Sequence, residues 1–103
     1  MPEVLGILVC TDNHLDHLVG LTLAARARGR RVLVFLTGRG VLLTARPEFA
    51  RLAGAAEMSL CKASLTKYGL DPARPIPGLP PENYLNQARH AELIERADRY
   101  LVL

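Results

Sequence analysis

The stretches VLGILVC, residues 4–10, and RVLVFLT, residues 31–37, decide the fold. Both are nearly continuous runs of aliphatic and β-branched side chains, which is typical of strands buried on both faces of a parallel sheet. Between them, residues 12–30 place apolar side chains at helical spacing, with Asn13 expected to cap the first turn and Gly29 to end the helix. The chain is therefore predicted to begin with a strand, a helix and a parallel strand.

The rest of the chain continues this alternation. Pro47 favours the first turn of a second helix that we expect to end at Gly54, and a third strand is predicted over residues 56–60. A short helix follows, then a longer helix within residues 80–100 and a last strand, RYLVL. The prediction is an α/β fold in one domain, residues 1–103: a three-layer open sheet, mostly parallel, with helices on both faces as in flavodoxin-like and Rossmann-like proteins.

The longer of the later helices shows a clear division into two faces. It begins after a pair of prolines and is expected to place Tyr84 on its apolar face. Its outer face carries opposite charges four residues apart, a spacing that stabilises helices. We therefore expect two ion pairs there, Glu92 with Arg96 and Glu95 with Arg99.

Composition narrows the function classes. With 103 residues, half of them hydrophobic, the chain can form one compact core but not two. The net charge of +3 is scattered and only 5% of the residues are aromatic, so we expect no nucleic-acid partner. No apolar run is long enough for a signal peptide or a membrane span, which predicts a cytoplasmic protein. In that reducing compartment Cys10 and Cys61 are expected to be free thiols.

The candidate site residues follow the predicted strands. In an open α/β sheet, ligands bind outside the carboxyl ends of the strands, where the loops converge and helix N-termini point inward. Three loops meet this condition: CTDNH after the first strand, TGRGVLLT after the second and CKASLT after the third. They are predicted to bring six residues to one edge of the sheet: Cys10, His14, Arg39, Thr44, Cys61 and Lys62.

Cys61 carries the most specific chemistry of this set. It lies in EMSLCKASLTKYG, residues 57–69, between a predicted strand and the first turn of a helix. A thiol reacts as its thiolate, and a helix N-terminus or a neighbouring cation lowers the pKa of the thiol. Lys62 supplies a cation and the helix its N-terminus, so Cys61 is a candidate nucleophile. The alternative is a packing residue, because free cysteines are among the most buried residue types.

Cys10 and His14 are secondary candidates. If the first and third strands are neighbours, as in the flavodoxin-like order, Cys10 comes within disulfide range of Cys61 and acts as a resolving or second carrier thiol. Its alternative role is that of a small hydrophobic residue closing the strand. Cys10, His14 and His17 resemble part of a zinc site that lacks a fourth ligand, so we expect no metal and a capping or interface role for His14. The glycines of residues 38–40 do not form a dinucleotide fingerprint, and no cofactor is expected.

Four segments, ILVCTDNHLDHLVGLTLAA, VLVFLTGRGVLL, MSLCKASLTKYGL and NQARHAE, resemble the DsrE/DsrF-like sulfur-relay family of small cytosolic α/β proteins. In better-known members, a cysteine after about the third strand carries sulfur as a persulfide. The resemblance extends over nearly the whole chain and marks Cys61 as the carrier residue. It implies sulfur donor and acceptor proteins as partners, a sulfur transferase or carrier that works without a cofactor, and assembly into trimers or hexamers.

The first predicted helix is apolar nearly all the way round. A surface helix of a small monomer has a polar half, so this pattern implies a second contact and favours a homo-oligomer. Two functional classes remain at this point. One is a sulfur-handling protein in which Cys61 accepts sulfane sulfur and hands it on. The other is a non-catalytic module of the same fold that binds a small anion or a protein and in which Cys61 is structural.

Overall fold

The computed structural model describes residues 3–86 and 88–103. These residues form one five-stranded sheet in which all neighbouring strands are parallel. The strands are β1 (Val4–Val9), β2 (Arg31–Leu36), β3 (Glu57–Cys61), β4 (Tyr84–Leu85) and β5 (Arg99–Val102). Their spatial order is β4-β3-β2-β1-β5. The open α/β sheet expected from the sequence is confirmed.

Helices cover both faces of this sheet. The α-helices are α1 (Leu15–Ala27), α2 (Lys62–Lys67) and α3 (Ala88–Arg96); 3₁₀ helices span Gly38–Ala45, Pro47–Leu52 and Pro81–Asn83. The larger part of the core lies on the face covered by α1 and the first two 3₁₀ helices, hereafter the α1 face. The opposite, α3 face holds a smaller cluster formed by Leu33, Phe35, Cys61 and Leu93.

Two glycines let helical segments approach β1 closely. A Cβ atom at Gly6 would lie 2.9 Å from both the Ala97 Cβ and the Leu93 Cδ2, so the missing side chain lets α3 pack directly on the strand. A Cβ atom at Gly40 would lie 2.2 Å from the Val9 carbonyl oxygen. The first 3₁₀ helix therefore passes against the carboxyl end of β1, where the candidate site residues are found.

The position of β2 overturns the expectation that the first and third strands are neighbours. In the sheet register Val9 lies beside Leu36 and Leu36 lies beside Leu60, so β2 separates β1 from β3. Adjacent strands are about 4.8 Å apart, so Cys10 and Cys61 are roughly 10 Å apart at their Cα atoms, beyond the limit of about 7 Å for a disulfide. Both residues are free thiols, and the folded chain does not offer the pairing that the other order would allow.

The connection from β2 to β3 also differs from the prediction. The helix expected from Pro47 to Gly54 begins at Pro47 but is a 3₁₀ helix ending at Leu52, and the preceding loop forms a 3₁₀ helix of its own. Arg46 separates the two with extended backbone angles, φ −86° and ψ 137°. The residue before a proline is restricted to such angles, which explains why one continuous helix does not form.

The helix expected within residues 80–100 is shorter than its pattern suggests. Tyr84 lies in β4, where it pairs with Leu60, and is not part of a helix. The reason is local: the Asn86 Oδ1 atom accepts a hydrogen bond of 3.0 Å from the Ala88 backbone N–H, and a side chain in that role starts a helix.

The ion pair predicted between Glu95 and Arg99 is replaced by a tertiary pair. Arg99 lies in β5, and its Nε atom is 2.6 Å from the Glu3 carboxylate, so the expected pair with Glu95 was wrong. Arg96 bridges to Glu57 at 3.5 Å. Helical spacing alone does not reveal that the chain leaves the helix before Arg99.

The capping prediction for α1 was half correct. Gly29 has a positive φ of 76° after the helix, as expected for a residue that ends it. Asn13 does not cap the first turn, because α1 begins one residue later and His14 takes the N-cap position without a side-chain hydrogen bond.

Candidate functional site

Three residues form a row across the carboxyl ends of the central strands: Cys10, Thr37 and Cys61. The register of β1, β2 and β3 places them side by side, each one residue beyond the aligned residues Val9, Leu36 and Leu60. Since side chains alternate along a strand, the row lies on the α3 face, the same face as Phe35. These three residues follow or end three different strands and lie at one edge of the sheet, as predicted for the loops after those strands.

Cys61 occupies the junction between β3 and α2. It is the last residue of the strand and the N-cap of the helix, with extended backbone angles of φ −80° and ψ 113°. Its exposed fraction is only 6%, and it packs in the cluster with Leu33, Phe35 and Leu93. The helix start expected of a nucleophile and the burial expected of a packing residue are therefore both present at Cys61.

The thiol of Cys61 has a lowered pKa even though it is buried. Burial is the largest single influence and raises the pKa, but hydrogen bonds to the sulfur outweigh it. The donors are the Ser64 hydroxyl, the backbone N–H groups of Ser64 and Ala63, and the Thr37 hydroxyl. A lowered pKa increases the fraction of the thiol that is ionised, and the thiolate is the form in which a cysteine attacks.

Ser64 is held in place from a different loop. Its Oγ atom accepts a hydrogen bond of 2.9 Å from the backbone N–H of Gly38, which has a positive φ of 53°. Because one lone pair of the hydroxyl is engaged by Gly38, its single proton is directed to another acceptor. The Ser64 hydroxyl also lowers the pKa of the Cys61 thiol, so the turn after β2 helps to position a group that favours the thiolate.

Cys10 sits in a contrasting environment. Burial raises the pKa of its thiol, and no compensating donor acts on it. Its backbone N–H donates to the Leu103 carbonyl oxygen at 2.7 Å, which closes the sheet edge beside β5. Tyr100 lies near Cys10, and burial together with Cys10 raises the pKa of its phenol. The Tyr100 hydroxyl forms a hydrogen bond with His90 on α3. Cys10 is thus a half-buried, unactivated thiol.

An open cavity lies beside Cys61 on the α3 face. Its volume is about 710 Å³. One wall is the start of α2, another is the β4 strand, and the third is the N-terminal half of α3. Among the described residues, the lining consists of Cys61, Lys62, Ala63, Tyr84, Leu85, Asn86, Ala88 and Glu92. A second cavity of about 350 Å³ adjoins it and shares Leu85 and Glu92. Cys61 is therefore buried by the sheet and by α3 but reached from this cavity.

Tyr84 adds a neutral hydrogen-bonding group to the cavity. Burial raises the pKa of its phenol, so the hydroxyl keeps its proton at neutral pH. Lys62 and Glu92 bring opposite charges to the lining, and both are exposed. The cavity thus combines apolar walls with a small number of polar groups, which is the usual composition of a small-molecule site.

The other residues predicted for this edge have separate surroundings. His14 is exposed and its ring centroid lies 5.6 Å from that of His17, and within residues 3–86 and 88–103 no group of His, Cys, Asp or Glu is arranged to hold a metal ion. Arg39 pairs with Asp12 at 3.1 Å, which holds the pKa of that carboxyl below its usual range. Thr44 is buried, and its hydroxyl donates to the Val41 carbonyl oxygen at 2.7 Å, a structural contact.

Sequence reasoning missed the residues that act on the Cys61 sulfur. Ser64 follows Cys61 by three residues, the spacing at which a side chain or backbone N–H in the first helical turn reaches an N-cap group. That spacing was a usable signal. Thr37 offered none, because its position beside Cys61 depends on β2 lying next to β3, a feature of strand order.

No protein-family model, curated protein or solved structure matches this chain. The resemblance to the DsrE/DsrF-like family accordingly stays a prediction that rests on the four sequence segments. Within the described part of the chain, no helix is long and apolar enough to cross a bilayer.

Proposed function

We propose that this protein is a sulfur carrier that accepts sulfane sulfur as a persulfide on Cys61 and passes it to an acceptor. One observation carries the proposal: hydrogen bonds from Ser64, Ala63 and Thr37 lower the pKa of a cysteine that opens onto a cavity. A thiolate in such a position is suited to attack sulfur, since the rate of sulfur exchange depends on the thiolate fraction and on access.

The transfer balances without a cofactor or an oxidant. The Cys61 thiolate attacks the outer sulfur of a donor persulfide, a new S–S bond forms, and the S–S bond of the donor breaks. The leaving donor thiolate takes the electron pair. In the second half-reaction, an acceptor thiolate attacks the outer sulfur on Cys61 in the same manner and restores the Cys61 thiolate. The hydrogen bonds that stabilise the Cys61 thiolate as a nucleophile also stabilise it as a leaving group.

The test is the intact mass of the protein after exposure to a sulfane-sulfur source. The unmodified chain should gain the mass of one sulfur atom, and a reductant should remove it. Cys61→Ser should gain none, whereas Cys10→Ser should load as the parent does. Loading of Cys61→Ser to the same extent as the parent would refute the proposal.

A second candidate is a binding module in which Cys61 only packs. Its support is the exposed fraction of 6% and the contact with Leu33, Phe35 and Leu93. The two candidates differ in the alkylation rate at pH 6.5, because a packing cysteine reacts with iodoacetamide no faster than a small model thiol. In a sulfur carrier, Cys61 should react with iodoacetamide faster than the model thiol does, because a larger fraction of its thiol is ionised.

The resemblance and the first helix support a cytosolic homo-oligomer as the working form. The described residues of α1 bury Leu15, Leu18 and Val19 against the sheet and leave Leu23 on the outer side with an exposed fraction of 37%. Light scattering should give a mass well above the 11.3 kDa of one chain. A monomer at micromolar concentration would remove this part of the proposal.

A further inference from the structure

The access route to Cys61 limits which sulfur donors can reach it. Only 6% of Cys61 is exposed, and the sheet and Leu93 cover the sides away from the cavity. Transfer of sulfane sulfur requires direct contact between the attacking sulfur and the outer sulfur of the donor. A persulfide on a flat protein surface does not meet that requirement unless it projects into the cavity. A small donor molecule meets it by entering the cavity that Cys61 lines.

The size of the cavity fits a small molecule. Its volume of about 710 Å³ falls within the range of about 300–1,000 Å³ that is typical of small-molecule sites. Its apolar lining comes from Ala63, Leu85 and Ala88, beside the sulfur of Cys61. A ligand that enters from solvent can therefore bury a sulfur-bearing chain against these groups.

The polar lining indicates the chemical class of such a ligand. Lys62 offers an ammonium group, while Asn86 and the neutral Tyr84 hydroxyl add uncharged hydrogen-bonding groups. A ligand with a carboxylate and an N–H donor complements these residues, because the carboxylate pairs with the ammonium group and the amide and hydroxyl oxygens accept from the donor. An amino-acid end attached to a short thiol chain has these properties.

We infer that the cavity binds a low-molecular-weight persulfide with an amino-acid end group, of the size of cysteine persulfide up to a tripeptide persulfide, as the sulfur donor for Cys61. The inference rests on the proposed carrier function and assigns the donor half-reaction to a small molecule, where the family resemblance implies a donor protein. The Cys61 thiolate attacks the outer sulfur, a new S–S bond forms, the S–S bond of the small persulfide breaks, and the small thiolate leaves with the electron pair.

The decisive experiment measures the rate of persulfide formation on Cys61 against the concentration of cysteine persulfide, with Cys10→Ser as the parent protein. A bound donor gives a rate that saturates. Ala88→Phe fills the cavity and should lower the rate at subsaturating donor by about tenfold or more, equivalent to about 1.4 kcal/mol of lost binding. Ala91→Phe is the matched control, because Ala91 is exposed on the same helix but does not line the cavity. It should behave like the parent.

A second variant tests the charge complement without changing the size of the cavity. Lys62→Gln should raise the half-saturating concentration of cysteine persulfide several-fold and leave that of uncharged 2-hydroxyethyl persulfide nearly unchanged. Using the ratio of the two donors removes any effect of Lys62 on the reactivity of Cys61 itself. Circular dichroism of each variant and its iodoacetamide reactivity confirm that the fold and the thiol are intact.

The outcomes separate this inference from the proposed function. Saturable loading that Ala88→Phe impairs and Ala91→Phe does not would support it. Equal, non-saturating loading in all three proteins would overturn it, as would loading only by a persulfide carried on a cysteine desulfurase; in either case the carrier function would stand. If neither cysteine persulfide nor the persulfide on a cysteine desulfurase loads Cys61, the carrier function is overturned and this inference with it.

Discussion

Cys10 and Cys61 end parallel strands on the same face of one sheet, yet their thiols have pKa values displaced in opposite directions. Burial raises the pKa of both, and for Cys10 nothing opposes it. For Cys61, the Ser64 hydroxyl, two backbone N–H groups and the Thr37 hydroxyl reverse the direction. The difference teaches that a strand end does not activate a thiol by itself. The donors that the next element supplies decide the outcome.

The element after each cysteine explains the contrast. Cys61 is followed at once by α2 and is its N-cap residue, so it lies where the first backbone N–H groups of the helix have no intrahelical partner. Cys10 is followed by a loop, and α1 begins only at Leu15. The helix N-terminus that serves Cys61 therefore has no counterpart at Cys10.

Substitution of Gly6 should have the largest effect, and it should act on the two cysteines unequally. In Gly6→Ala the new Cβ meets Leu93 and Ala97 at 2.9 Å, so α3 must move away from β1. We expect a loss of about 1–3 kcal/mol in the free energy of unfolding, measured with urea. The pKa of Cys10 should fall towards its ordinary value as Tyr100 loosens, whereas the hydrogen bonds that lower the pKa of Cys61 should persist.

Gly20→Ala provides the control for that variant. A Cβ atom at Gly20 has no neighbour within 4 Å, and alanine is favoured over glycine in a helix by up to about 1 kcal/mol. It should be neutral or stabilising. A loss of stability as large as that of Gly6→Ala would show that the close packing of α3 is not the cause.

Removal of the Ser64 hydroxyl should reduce the difference between the pKa values of Cys61 and Cys10. Ser64→Ala removes the first of the groups that lower the pKa of Cys61, so that pKa should rise and alkylation at pH 6.5 should slow about tenfold. The rate of the fully ionised thiolate at high pH should change little. The measurement is the alkylation rate across pH in a Cys10→Ser background.

Two further variants on the same residue and helix make the result specific. Ser64→Thr retains a hydroxyl and should restore most of the rate. Thr66→Ala, which removes a contact of 3.4 Å with the Lys62 carbonyl oxygen on the same helix, should leave the profile unchanged. An equal effect of Ser64→Ala and Thr66→Ala would mean that α2 is merely destabilised.

Thr37 should contribute less than Ser64. Its hydroxyl is the last of the groups that lower the pKa of Cys61, and Thr37→Val keeps the shape while removing the donor. We expect a smaller rise in the pKa of Cys61 than in Ser64→Ala, and a slowing of alkylation at pH 6.5 of about threefold. Cys10 lies on the other side of Thr37 in the row, and its alkylation rate across pH should not change. An equal shift in the pKa of Cys10 would contradict the conclusion that Thr37 acts on Cys61.

The smallest effect should be the dependence of stability on pH. Because the pKa of Cys61 is lowered on folding, ionised Cys61 stabilises the folded protein. This contribution is complete above the unfolded pKa of 9.0 and is lost as the pH falls through the folded pKa. The raised pKa of Cys10 acts in reverse, so its contribution is complete below 9.0 and is lost as pH rises through the folded pKa. Urea unfolding at pH 7 and pH 10 should show that the free energy of unfolding rises less with pH in Cys61→Ser than in the parent and more in Cys10→Ser, each by less than about 1 kcal/mol.

The sequence predicted the buried strands well because their composition leaves few alternatives. The runs that became β1 and β2 are aliphatic on both faces, and that pattern is satisfied only inside a covered sheet. Cys61 was also identifiable, since its place between a strand and a helix follows from the short alternating run before it and the helical residues after it.

Features that depend on partners distant in sequence were not predictable in the same way. The strand order is fixed by how the 3₁₀ helices and α3 cover the sheet, and nothing in residues 4–10 or 31–37 specifies it. The two-residue β4 exists because it pairs with Leu60 and Cys61, although its own sequence fits a helix. The role of Thr37 follows from strand order alone and was therefore hidden as well.

The central claim is that the groups around Cys61 lower the pKa of its thiol, whereas burial raises the pKa of the Cys10 thiol. The most direct measurement is the alkylation rate of each thiol by iodoacetamide from pH 5 to pH 10, with Cys10→Ser reporting on Cys61 and Cys61→Ser reporting on Cys10. The account predicts a midpoint below 9.0 for Cys61 and above 9.0 for Cys10. Coincident midpoints, or a higher midpoint for Cys61 than for Cys10, would contradict it.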